Sequence, residues 1–139
     1  KTGSQDINPV HFYKRTGKYN VCLVVSNTLG CSDTVCKNVE ADVLPLVDVP
    51  TGFTPNGDGK NDVLYVRGAA IESASLAVYN RWGQKLFEVK NVPANDPAHG
   101  WDGTYKGKKQ AVESYAYVMS GTFIDGTTFY KKGNVTLLN

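Results

Sequence analysis

Turn-forming residues interrupt this chain about every ten residues, and the runs between them are rich in Tyr, Val, Thr and Phe. That punctuation leaves little room for a long helix. It points instead to short antiparallel strands, and so to an all-β sandwich. The densest turn chemistry lies in Phe53-Thr54-Pro55-Asn56-Gly57-Asp58-Gly59-Lys60-Asn61-Asp62, between two apolar runs. Pro, Gly, Asn and Asp are the residues that accept tight turns and positive φ.

The formal charge is +2 over 139 residues, too small to argue for nucleic acid. The chain starts at Lys1 without an initiator Met, and no apolar run is long enough to span a bilayer as a helix. It is therefore expected to be a fragment of a longer precursor.

Lys18 to Asn27 alternates as a strand does, with Tyr19, Val21, Leu23 and Val25 on one face. Thr28-Leu29-Gly30 turns the chain and Ser32 to Val39 returns. If Asn27 faces Cys31 across that loop, Cys22 stands opposite Cys36, at a spacing that suits a cross-strand disulfide. Cys31 is then the odd thiol. The alternative is three reduced cysteines acting as small apolar residues. Clustered cysteines in a β-rich segment favour an oxidising, extracytoplasmic compartment.

A domain boundary is expected near Ala41-Asp42, dividing residues 1–41 from residues 42–139. Val43 to Val49 reads as an edge strand because it holds Pro45. Further strands are expected at Asp62–Arg67, Ser75–Asn80, Gln84–Lys90, Ser114–Ile124, Thr127–Lys132 and Gly133–Asn139. Gly68 to Ser73 and Asn91 to His99 read as loops. Leu86 and Glu88 are expected to oppose Phe87 and Val89 across the sheet, and Asp125-Gly126 to form a hairpin turn. The expectation is an Ig-like antiparallel β-sandwich of about seven strands, preceded by a β-hairpin.

Chemistry-bearing residues gather in three turns. Asn56, Asp58, Gly59 and Asp62 fall at positions three, five, six and nine of a calcium-binding loop. Thr54 and Tyr65 stand where the first and last ligands belong, so calcium at Asn56, Asp58 and Asp62 competes with a hydrogen-bonded Asx-turn network. Arg81-Trp82-Gly83 and Gly100-Trp101-Asp102-Gly103 each set a tryptophan beside a glycine and a polar partner. Arg81 is expected to fork onto Asp102 or Asp62. The tryptophans either cover the end of the sandwich or offer an aromatic recognition face. No nucleophile elbow, phosphate loop or paired His motif is present, and the carboxylate pairs Asp58/Asp62 and Asp102/Glu113 are of a kind any such chain offers. Catalysis is not expected.

Two resemblances extend these readings. Thr16-Gly17-Lys18-Tyr19-Asn20-Val21-Cys22-Leu23-Val24-Val25-Ser26-Asn27, followed by Gly30-Cys31-Ser32-Asp33-Thr34-Val35, resembles the end of a PKD domain, an extracellular Ig-like module. The second resemblance rests on Phe53 to Asp62, Val78-Tyr79-Asn80-Arg81-Trp82-Gly83-Gln84, Gly100-Trp101-Asp102-Gly103-Thr104-Tyr105-Lys106-Gly107, Tyr115-Ala116-Tyr117-Val118 and Lys132 to Leu138. In that order they are similar to the gliding-motility-associated C-terminal domain, the type B C-terminal sorting domain of the type IX secretion system. Glu113-Ser114 stands where that family usually has Asp-Gly or Val-Gly, and the end is Asn139 rather than a basic residue.

The resemblance implies a non-catalytic tag that carries a large surface protein, such as an adhesin, through the outer membrane and holds it at the cell surface. It implies a translocon and an outer-membrane β-barrel of the PorP/SprF-like family as partners, with no nucleic acid, no membrane insertion and no required cofactor. Candidate contact residues are Asn56, Asp58, Asn61, Asp62, Arg81, Trp82, Trp101 and Asp102. The competing expectation is a calcium-stabilised carbohydrate-binding adhesin module, with Trp82 or Trp101 stacked on sugar.

Overall fold

The structure is a computed structural model that describes residues 3–139. It consists of two compact units that part between Leu44 and Pro45.

The first unit is a single long hairpin, β1 (Gly17–Ser26) and β2 (Ser32–Ala41). The strands pair antiparallel from Gly17 opposite Ala41 to Ser26 opposite Ser32. Asn27 sets this register. Its amide donates to the Cys31 carbonyl at 3.0 Å, and its side-chain oxygen accepts from the amides of Leu29 and Cys31, each at 3.0 Å. Gly30 completes the loop at φ 84°. Cys22 lies opposite Cys36 and the two are joined by a disulfide, while Cys31 is free and exposed. No described residue of this unit is buried. Leu23, Val24 and Val35 are each about 60% exposed or more (60%, 61% and 65%), because two strands alone have nothing to pack against.

The second unit holds β3 (Leu46–Asp48), β4 (Gly52–Phe53), β5 (Arg67–Ala69), β6 (Ile71–Tyr79), β7 (Lys85–Val92), β8 (Thr104–Tyr105), β9 (Lys108–Lys109), β10 (Ser114–Phe123) and β11 (Thr128–Leu137), with one 3-10 turn at Pro97–His99. One five-stranded sheet runs in the order β4-β11-β10-β6-β7, and β3–β5 and β8–β9 form two-stranded ladders. The all-β, Ig-like sandwich expected from the strand pattern is therefore found. One pair departs from the antiparallel rule: β4 lies parallel to β11 through Thr136 and Leu137.

Four strand expectations are corrected. Asp62 to Val66 is not a strand; only Leu64 pairs there, in an isolated bridge to Trp101, and Arg67 instead opens β5, opposite Asp48. Gly68 to Ser73 is not a loop, since it ends β5 and begins β6. Thr127–Lys132 and Gly133–Asn139 are one strand, because Gly133 does not break it. A Cβ at Gly133 would come within 2.8 Å of the Tyr117 hydroxyl oxygen, so its missing side chain makes room for that ring. Finally, a register shift between Val78 and Tyr79 leaves Leu86 without a partner between Phe87 and Lys85. This bulge turns Leu86 into the core, where Phe87 and Val89 also pack, so the expected opposition of faces fails.

Alternation builds the core. From β10 come Tyr115, Met119 and Phe123, from β6 Ala74, Leu76 and Val78, and from β11 Val135 and Leu137. Trp101 lies among them at 1% exposure, with ring centroids 5.4 Å from Phe53 and 5.0 Å from Tyr115. Tyr115 donates its hydroxyl to the Ala111 carbonyl at 2.7 Å. Burial, followed by the nearby Glu113 charge, pushes that phenol's pKa up.

Candidate functional site

The residues that sequence reasoning selected fall into three places. In the first, the Asn56–Asp62 loop is closed by its own side chains. Asp62 accepts from the Gly57 amide at 2.6 Å and the Gly59 amide at 2.7 Å, one on each carboxylate oxygen. Asn56 accepts from the Asp58 amide at 3.1 Å, and Asp58 accepts from the Lys60 amide at 2.7 Å. Thr54 donates its amide to the Asn61 carbonyl at 2.9 Å. This is a set of Asx turns, with both Asp62 oxygens engaged by backbone. Among the described residues, no group of three or more His, Cys, Asp or Glu is placed to hold a metal ion. Arg67, which residue type and spacing alone do not single out, donates to Asn61 Oδ1 at 3.2 Å and lies 4.6 Å from the centroid of the Tyr65 ring.

The second place is the turn around Trp101, and here an expectation fails. Trp101 is a core residue, so it offers no contact surface and no sugar platform. Its backbone exchanges two 2.8 Å bonds with Leu64, and its indole donates to the Thr104 carbonyl at 2.8 Å. Gly100 permits that close pairing, because a Cβ there would sit 2.7 Å from the Leu64 carbonyl oxygen. Asp102 is exposed, but its carboxylate accepts from the Thr104 amide at 2.9 Å and the Thr104 hydroxyl at 2.8 Å.

The third place is the Asn80–Gln84 loop. Asn80 Oδ1 accepts from the amides of Trp82 and Gln84, each at 3.0 Å, and Gly83 closes the turn at φ 76°. The construction repeats that of Asn27 to Cys31, so Asn-x-x-Gly was a legible signal that sequence reasoning passed over. Arg81 pairs with Glu113, not with Asp102 or Asp62; both Asp62 oxygens accept backbone amides, and one Asp102 oxygen accepts both Thr104 donors. Trp82 is 84% exposed. Among the described residues, no hydrogen bond or ion pair joins the Asn56–Asp62 group to Arg81 or Trp82. The candidates therefore lie in separate, internally hydrogen-bonded loops rather than in one hydrogen-bonded site.

No helix among the described residues is long and apolar enough to cross a membrane.

Comparison with known proteins follows the same lines. No curated protein matches the chain. Among solved structures, CopC from Methylosinus trichosporium OB3b matches 69% of this chain and 93% of its own, at 13% identity and a TM-score of 0.44. At that level neither fold detail nor function is transferred. Residues 47–137 match the family described as CHU_C Type IX secretion signal domain. A domain of this kind is a non-catalytic sorting signal that engages the type IX secretion machinery, and it marks its protein as secreted or exposed at the cell surface. With most of its length matched, the chain belongs to the CHU_C type IX secretion signal domain family.

Proposed function

We propose that residues 42–139 export a large surface protein, of the adhesin kind, and then hold it at the outer face of the cell. The observation that carries this is the set of separately stiffened, exposed loops on a folded sandwich. Asn56, Asp58, Asn61, Arg81 and Trp82 are exposed, while their backbones are fixed by side-chain caps. A partner can read such loops by shape and hydrogen bonding with little ordering cost. An outer-membrane β-barrel of the PorP/SprF-like family is the proposed partner. Residues 1–41 are proposed to be the last strands of a PKD-like domain, whose exposed Leu23, Val25 and Val35 await further strands. The Asn56–Asp62 loop is proposed to stand without a metal, since both Asp62 oxygens already accept backbone amides.

Fusing residues from Val43 onward to a periplasmic reporter, in a cell with a working type IX system, tests the export role. The reporter is expected outside and attached to cells; retention in the periplasm defeats the reading. Calorimetry with calcium checks the loop, where heat together with a melting shift would reverse the metal-free assignment.

A further inference from the structure

The β8–β9 hairpin carries Lys106, Lys108 and Lys109, all exposed. Among the described residues none of the three ammonium groups is in an ion pair. Beside the hairpin stands the Asn80–Gln84 loop with its exposed Trp82. Two contacts hold the loops together: Arg81 pairs with Glu113, just past β9, and Gln84 Nε2 lies 3.4 Å from the Tyr105 hydroxyl of β8. Val112, in the same segment as Glu113, is 57% exposed. One end of the sandwich thus presents an indole and an aliphatic side chain next to three lysines, of which Lys106 has its ammonium 5.3 Å from the centroid of the Tyr105 ring.

We propose that this end docks on a membrane face rich in anionic headgroups, with Trp82 settling at headgroup depth and Lys106, Lys108 and Lys109 meeting phosphates. The indole is not left exposed by a loose loop, because Asn80 fixes the backbone on both sides of it. Indoles favour the membrane–water interface, and lysines reach from an apolar footing toward charge. An apolar anchor combined with a cluster of lysines is the two-part signal that peripheral attachment needs. The choice of lysine also bears on the partner. Three point charges on flexible stems suit a diffuse anionic surface, which demands no fixed bidentate geometry. The docking is peripheral and distinct from spanning. It deepens the proposed holding at the cell surface, and rests on that reading for its biological meaning.

The full chain is titrated at low salt with vesicles of phosphatidylglycerol and phosphatidylcholine, and separately with phosphatidylcholine alone. Co-sedimentation and tryptophan emission are recorded. Trp101 is already buried, so a blue shift reports Trp82. Binding and a blue shift are expected with the anionic vesicles, weakening as salt rises. Lys106→Glu/Lys108→Glu/Lys109→Glu is expected to lower affinity about a hundredfold or more. Trp82→Ala should lose the shift and bind about tenfold more weakly. Equal binding to both vesicle types, no binding to either, or unchanged affinity in the triple variant overturns the proposal. Purified chain and vesicles involve no secretion machinery, so that failure leaves the export role standing. If vesicles do not bind and the triple variant also stops reporter export, the surface belongs to a carboxylate-bearing protein instead.

Discussion

The hairpin of the first unit and the two longest strands of the second are ten-residue strands alike, but they use their apolar residues in opposite ways. β1 and β2 share ten paired positions, and no described residue of that unit is buried. In the second unit β10 is equally long and is paired on both sides, and Tyr115, Met119 and Phe123 disappear into a core. Backbone pairing is thus no measure of stability by itself. Net hydrogen-bond gains are modest, and the burial of apolar surface is what outweighs chain entropy. The disulfide and the Asn27 loop do for the hairpin part of what Trp101 does for the sandwich.

The strongest way to break this comparison is Trp101→Ala. It should cost about 3–5 kcal/mol in denaturant unfolding of the second unit, while β1–β2 cross-strand signals in NMR stay as they were. A loss below about 1 kcal/mol would mean that the core does not centre on this ring.

Next comes the disulfide. Replacing Cys22 and Cys36 by serine opens a loop of sequence separation 14, which is worth about 3 kcal/mol to the hairpin. Amide protection in β1 and β2 should collapse with no change in the melting of the second unit. A hairpin that stays protected would show that another element holds it.

Asp62→Ala tests a loop rather than a core. It removes the acceptor for the Gly57 and Gly59 amides, at a cost of about 1 kcal/mol. Faster exchange is expected at those two amides, and unchanged exchange there would sink the capping role.

The smallest effect is a titration. Bonds from the Thr127 hydroxyl and amide hold the Asp125 pKa below the usual carboxylate value. A depressed folded pKa stabilises above the unfolded value and is lost as pH falls through the folded one. The β10–β11 turn should therefore loosen only in acid, below the ordinary Asp range, as followed by the Asp125 carboxyl shift. A midpoint at or above the ordinary value contradicts this.

These contrasts also show what the sequence could reveal. Alternation, turn signals and β-rich composition located β1, β2, β10 and the second half of β6, but they divided β11 in two at Gly133. Alternation failed at Asp62 to Val66, where Leu64 and Val66 are buried but the backbone pairs only at Leu64, with Trp101. A buried run and a strand look alike until the pairing partner is known. It failed again at Leu86, since a bulge leaves no local trace in composition. The site was legible by residue type more than by role. The Asx network at Asp62 follows from turn chemistry alone, but the fates of Trp82 and Trp101 do not. Both stand next to glycine in a turn, and only the distant residues Phe53, Leu64 and Tyr115 decide which is enclosed. Arg81 chose Glu113, 32 residues away, for the same reason.

The parallel rung between β4 and β11 has a consequence in time. It places Gly52 beside Thr136 and Phe53 beside Leu137, so one of the first strands of the second unit is completed by the last. During synthesis β4 must wait for nearly the whole unit to emerge before it can close. A chain cut short ahead of Thr136 lacks that rung and the Leu137 side chain of the core. The fold thereby certifies its own completion: the second unit closes only once its last strand has been made.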